Sequence, residues 1–256
     1  MFSPINFADT HCHLDFDHFE FGREVLVQSC CERAIKLLVV PSVAKRSWND
    51  VLSLSESFDI VRPAFGLHPY FVAEHEASHL NELSQFVMAN RAKVCAIGEI
   101  GLDKTVPEYE RQLYFFREQL RIAVSNRLPV IIHSRKSHGE VCRELKRSAV
   151  GRGVVHAYSG SQQDAEKFIA LGMKIGVGGV ITWPRARKTR TAITALPLNA
   201  LVLETDAPDM PVVGNAKGEG SPLDVMMVFD VLCQLRGEPP EEIATALWRN
   251  SVELFA

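Results

Sequence analysis

Six residues of this chain, His11, His13, Glu99, His133, His156 and Asp206, carry side chains that bind divalent cations, and each stands where a short apolar run stops. His11 and His13 lie two apart in what reads as extended chain, so their imidazoles point to one face while Cys12 points to the other. Such a pair can clasp one cation, yet by itself it equally describes two histidines satisfying core or turn hydrogen bonds. Glu99 sits in AIGEIG, where a carboxylate flanked by small residues is costly to bury without a cation or hydrogen-bond donors. Alone, it also reads as half of a structural salt bridge. His133 follows PVII, His156 follows GVV, and Asp206 closes LETD after LVL. Polar groups that merely satisfied the core would be scattered over both ends of the strands, whereas all six fall at C-terminal ends. Four imidazoles and two carboxylates are more than one tetrahedral ion with an open position needs, and they suit two ions about 3.5–4 Å apart. The set therefore predicts a binuclear centre of two divalent ions; mixed nitrogen and oxygen donors accept Zn, Mn, Mg or Fe without selecting one.

The elements that must position these residues are legible as eight runs: NFADTH, IKLLVVPS, IVRPAFGLH, KVCAIGEIG, PVIIHS, GVVHAYSG, KIGVGGVIT and LVLETD, starting at Asn6, Ile35, Ile60, Lys93, Pro129, Gly153, Lys174 and Leu201. Most are nearly continuous in apolar character, as in parallel strands buried on both faces. Helical segments lie between them; from Tyr109 to Ser125, Leu113, Phe116, Leu120 and Val124 recur at three- and four-residue steps. Eight strand–helix alternations in 256 residues predict an α/β fold, a closed (β/α)8 TIM barrel occupying residues 1–256 as one domain. In such barrels the C-terminal strand ends carry the chemistry. An open dinucleotide-binding sheet lacks its fingerprint, because no G-x-G-x-x-G follows any strand.

Composition narrows the class further. Apolar residues make up 46% of the chain, enough for a sizeable core, and no low-complexity stretch divides it. The apolar runs are too short for a membrane span, and no basic-then-apolar leader is visible. Six cysteines without C-x-x-C spacing argue against a disulfide framework or structural zinc site, so a cytoplasmic location is expected. Net charge is −3, which makes the whole molecule no polyanion magnet. Charge is nevertheless clustered after the seventh run, at Arg185, Arg187, Lys188 and Arg190. Loops at that place in barrels often hold phosphate. The cluster reads either as a basic rim gripping a nucleic-acid backbone or as a solvated helix start.

At this point the motifs carry a family resemblance. DTHCHLD, GLHP, GEIGLD, VIIHSR, VVHAYSG and LETDAPDMP resemble, in order and spacing, those of the TatD family of metal-dependent deoxyribonucleases, from Asp9 to around Asn250. Within the family, KIGVGGVITWPRARKTR is most similar to the YjjV subgroup. The resemblance implies a (β/α)8 barrel, a metal site, and DNA as substrate cut by 3′-to-5′ exonuclease-like hydrolysis. It places His11, His13 and Asp206 around one ion, Glu99 as the bridge, and His133 and His156 around the other. Two stretches depart from the pattern. Ala157 and Tyr158 stand where many relatives have Cys-Phe or Gly-Phe, a mild exchange, and PVVGNAKGEGSP after Met210 replaces a basic, asparagine-rich loop. The second departure touches DNA grip and not metal binding.

The ligand set suggests an in-line attack of water on a phosphodiester, with Asp206 taking the proton and Glu99 completing the catalytic pair. His68, in GLHP, reads as a phosphate contact on the same rim or as a turn residue held by Pro69. Arg135 reads as a bidentate phosphate ligand or as a partner of Glu140. Asp103 is expected beside the ligands or in a turn. His18, His75, His79 and His138 sit in polar surroundings and are expected at the surface. Tyr70, Phe71, Tyr158 and Trp183 form no stacking array and read equally as packing residues. Two other functions fit the same residues. One is an amidohydrolase-like enzyme opening lactones, amides or phosphoesters of metabolites, against which Glu99 stands where many such enzymes use a modified lysine. The other is a non-catalytic metal-binding protein.

Overall fold

In the computed structural model, which describes residues 5–256, the apolar runs form eight parallel strands: β1 (Phe7–Asp9), β2 (Ile35–Pro41), β3 (Val61–Phe65), β4 (Ala96–Asp103), β5 (Val130–Arg135), β6 (Gly153–Val155), β7 (Met173–Val177) and β8 (Leu201–Leu203). Each pairs with the next in sequence order, giving one eight-stranded sheet. Helices α1 (Arg23–Glu32), α2 (Trp48–Ser57), α3 (Ala77–Ala89), α4 (Tyr109–Asn126), α5 (His138–Ser148), α6 (Gln162–Ala170) and α7 (Arg187–Ala195) occupy the seven crossovers, and α8 (Val225–Leu235) and α9 (Pro240–Phe255) follow the last strand. This is the barrel that the alternation predicts. β4 begins three residues later than the apolar run, because Lys93 and Val94 donate back to Asn90 O and are held in a turn. Among the described residues no helix is long and apolar enough to cross a membrane.

The seam between the first and last strands is closed by short, mostly backbone contacts at the functional end. Thr10 N and Thr10 Oγ1 both donate to Leu203 O, at 2.9 and 2.8 Å. Asp206 N donates to His11 O and His13 N to Ala207 O, each at 2.8 Å. Asp9, buried under the seam, accepts from Thr205 N and Thr205 Oγ1 at 3.0 and 2.6 Å. The segments that close the barrel are thus the segments that carry three of the six candidate ligands.

The stripe on α4 differs from its expected position. Val124 is 44% exposed and Leu113 only partly buried, while the interior face is Gln112, Phe115, Phe116, Gln119, Leu120 and Ala123. The two glutamines turn inward because their amides close backbone groups at the barrel mouth. Gln119 accepts from Leu67 N at 2.7 Å and donates to Leu67 O at 3.1 Å. Gln112 accepts from Asp103 N at 2.8 Å and donates to Asp103 O at 3.1 Å. Helix α4 therefore holds the loops beyond β3 and β4, each beside a site residue.

Candidate metal centre

The strand ends bring His11, His13, Glu99 and Asp206 into one cluster. His11 Nε2 lies 3.4 Å from His13 Nε2, 3.2 Å from Glu99 Oε2 and 3.5 Å from Asp206 Oδ1. His13 Nε2 lies 3.7 Å from Glu99 Oε2 and 3.6 Å from Asp206 Oδ1. A tetrahedral ion bonded at about 2.0–2.1 Å needs donor separations of about 3.3–3.4 Å. The donor set fits a cation of that kind. His13 is backed by Phe16, stacked at 4.6 Å between centroids, and the Nδ1 atoms of both histidines are buried without a hydrogen-bond partner.

The other oxygen of Glu99 faces a second cluster. Glu99 Oε1 is 2.7 Å from His156 Nε2 and 3.3 Å from His133 Nδ1, and these two ring nitrogens are 3.3 Å apart. His133 Nε2 is 3.0 Å from Asp103 Oδ2, so the aspartate accepts that N–H and leaves the Nδ1 lone pair turned to the cluster. Asp103 is buried and also accepts from Thr105 N and Oγ1; it fills both of its expected roles, behind a ligand and in a turn. Glycine at 101 (φ +148°) lets β4 and β5 approach here, since a Cβ would stand 1.9 Å from His133 O.

His68 also reaches the centre, but not as a free phosphate contact. Its Nδ1 accepts from Tyr70 N at 3.0 Å, so Nε2 carries the proton, and it lies 2.8 Å from Glu99 Oε1. Its ring thus belongs to the cluster around Glu99 Oε1 and His133. Arg135 is exposed and makes no ion pair among the described residues; Glu140, its expected alternative partner, pairs with Lys104 at 2.5 Å. Arg185 is exposed with its guanidinium 4.6 Å over the Trp183 ring, and Arg187 and Lys188 are exposed in the first turn of α7.

Burial alone would raise the Glu99 carboxyl, but His68, His156 and His11 outweigh it and hold it well below the usual carboxylate range. Asp206 is lowered in the same way, chiefly by His13 beside it. Burial likewise would depress His13 and His156, yet the carboxylates push them up to about 9 and about 10. His11, the most enclosed, follows its burial and falls to about 4. The carboxylates are therefore anionic at neutral pH and attract cations.

Several contributors escaped the sequence reading. Glu204 is fully buried two positions before Asp206, with a carboxylate atom within 4.8 Å of donor atoms of His11 and His156. It accepts the N–H of Ala157, which is held at φ +46° after His156. Gly176 makes room, since a Cβ there would stand 2.4 Å from Glu204 Oε2. Its signal was available: a carboxylate ending an apolar strand, as at Glu99. Tyr158 is buried, donates to Ser161 O and stacks on His138, so it packs and does not present a ring to solvent. His138, expected at the surface, is half-buried by that stack and bonded to Ser134 Oγ at 2.7 Å. His75, also expected outside, is buried with Nε2 donating to His68 O at 2.9 Å, because the loop that carries it packs its ring against Phe115 of α4. His18 is exposed as expected, and His79 is partly buried as the partner in the α3 capping box.

The chain can now be placed among known proteins. Residues 8–256 match the family model described as TatD related DNase. A metal-dependent hydrolase of Escherichia coli K12, YjjV, is 46% identical over 252 residues, 97% of each chain. The crystal structure of YjjV, a TatD homologue, superposes with a TM-score of 0.95 at 45% identity, covering 98% of both chains. A 3′-5′ ssDNA/RNA exonuclease, TatD of Pantoea vagans, is 30% identical over 201 residues, covering 74% of this chain and 76% of that protein. The match to the family model over nearly the whole chain, with the donor clusters at the C-terminal strand ends, means that this chain belongs to the TatD family of metal-dependent hydrolases.

Proposed function

We propose that the protein hydrolyses phosphodiester bonds of DNA, releasing nucleotides from the 3′ end of a single strand. His11, His13 and Asp206 would hold one divalent ion and His133 and His156 another, with Glu99 facing both clusters. The observation that carries the reading is the division of the Glu99 carboxylate, whose two oxygens face separate donor clusters. Divalent ions held there would supply a lowered pKa of water and charge to offset the attacking and leaving oxygens of a phosphodiester. The protein's own groups do the rest. Asp206, kept ionised by the neighbouring imidazoles and partly open to solvent, takes the proton at its carboxylate. His68 sits against Glu99 with Nε2 2.8 Å from Oε1, and Asp103 fixes His133. Arg135, Arg185, Arg187 and Lys188 supply cations for the backbone of the strand. The exonuclease activity named for the Pantoea relative supports this class of substrate.

The deciding experiment is hydrolysis of 5′-labelled single-stranded DNA, which displays each shortened product, by metal-reconstituted protein with Asp206→Asn in parallel. Stepwise shortening, lost in a folded and metal-loaded variant, is expected. No shortening with metals bound overturns the nuclease reading. The net charge of −3 favours a second reading, hydrolysis of a small ester or amide. Salt separates them, because activity on a nucleic acid falls steeply with ionic strength and activity on a neutral metabolite does not.

A further inference from the structure

The basic residues after β7 do not form one rim. Arg187 and Arg190 line a shallow groove with Pro184 and Leu235, whereas Arg185 lines a different one with Val180, Trp183, Met210, Asn215 and Lys217. That second groove encloses about 410 Å³, within the range of pockets that hold small ligands. It adjoins the metal centre, since Val180 and Met210 also line the cleft containing Asp206 and Glu204. Its two walls are stitched together before any ligand arrives. Trp183 Nε1 donates to Pro211 O at 3.1 Å, and Val213 N donates to Thr182 Oγ1 at 2.8 Å. Gly179 packs so closely on the second wall that a Cβ would stand 2.3 Å from Met210 O. Asn215 is itself tied to Asp224, which leaves Arg185 and Lys217 as the groove's cations.

We propose that this groove is a nucleotide subsite, holding the unit of the strand next to the phosphodiester being cut; the assignment rests on the nuclease reading above. The apolar wall of Val180 and Met210 accepts a flat ring beside the Arg185 guanidinium, which itself lies 4.6 Å over Trp183, and Arg185 and Lys217 pair with its phosphate.

Binding is measured by fluorescence polarisation of a labelled, non-cleavable phosphorothioate trinucleotide on metal-loaded protein. Arg185→Ala/Lys217→Ala should weaken binding about 10- to 100-fold, as expected for two lost charge-assisted contacts. Arg121→Ala/Arg249→Ala, which removes the same charge from exposed positions on α4 and α9, should change it less than twofold. An abasic strand of equal length should bind wild-type protein about fivefold or more weakly, because the stacking surface goes unused. Equal weakening by the two double variants, or none by the first, overturns the subsite. Equal binding of abasic and normal strands overturns the ring assignment. Since nothing is cleaved in this assay, a failure of hydrolysis elsewhere counts against the nuclease reading and leaves the binding result to stand.

Discussion

Asp103→Asn tests whether His133 is a ligand held in one tautomer. In the native arrangement Asp103 Oδ2 accepts from His133 Nε2 at 3.0 Å, while Oδ1 accepts from Thr105 N and Oγ1 at 2.8 and 2.6 Å. Burial alone would raise this carboxyl, but the bonds from His133 and Thr105 outweigh it and hold it well below the usual range. Asparagine keeps the shape. Its oxygen retains the two bonds from Thr105, and its NH2 then faces His133 Nε2, donor against donor. The imidazole relieves the clash by moving its proton to Nδ1, which removes the lone pair turned to Glu99 Oε1 and His156. Loss of such a supporting carboxylate costs about 10- to 100-fold in metal affinity, or about 1.4–2.7 kcal/mol. The assay is elemental analysis after dialysis against a graded chelator, with circular dichroism to confirm folding. One ion should survive at the His11/His13 cluster, and the second should leave at about 10- to 100-fold lower chelator concentration, with hydrolysis falling in step. Second-ion affinity within twofold of wild type would refute the tautomer argument.

Glu99→Gln removes the charge shared by both clusters, so metal content and activity should fall together; unchanged metal content on elemental analysis would sink the bridging role. A pH effect on stability follows from His75. Burial, countered only in part by its bond to His68 O, lowers its folded pKa to about 4, against an ordinary unfolded value of about 6.5. The unfolded chain therefore binds more protons, and the contribution is lost as pH falls below about 6.5 towards 4. Between pH 7 and pH 5 this amounts to about 2 kcal/mol. Urea unfolding should show wild type losing about that much more than His75→Gln, whose amide can still donate to His68 O. Equal losses in the two proteins would show that His75 is not held neutral by the fold.

The barrel and the donor side chains at its mouth are readable for the same reason. A strand buried on both faces is continuously apolar, so a polar residue at its end stands out and must answer for its desolvation. His11, His13, Glu99, His133, His156 and Asp206 all announce themselves in this way. Glu204 does too, and was passed over because Asp206 lies beside it. What the sequence hides are groups whose role depends on distant partners. Gln112 and Gln119 look like solvated helix residues until α4 is docked on Leu67 and Asp103. The tie from Asp9 to Thr205 joins residues 196 positions apart, and no local pattern reports it. His75 and His138 lie in polar contexts and are covered only when the rings of Phe115 and Tyr158 pack on them.

The seam between β1 and β8 has a consequence for how the protein comes into being. The segment carrying the candidate ligands His11 and His13 is made long before its backbone partners Leu203, Asp206 and Ala207. A nascent or truncated chain that lacks β8 has neither the backbone groups that fix the H-x-H segment nor the carboxylate of Asp206. The donor cluster at the barrel mouth is therefore completed only when the closing strand is in place, and a partly made barrel holds no finished site.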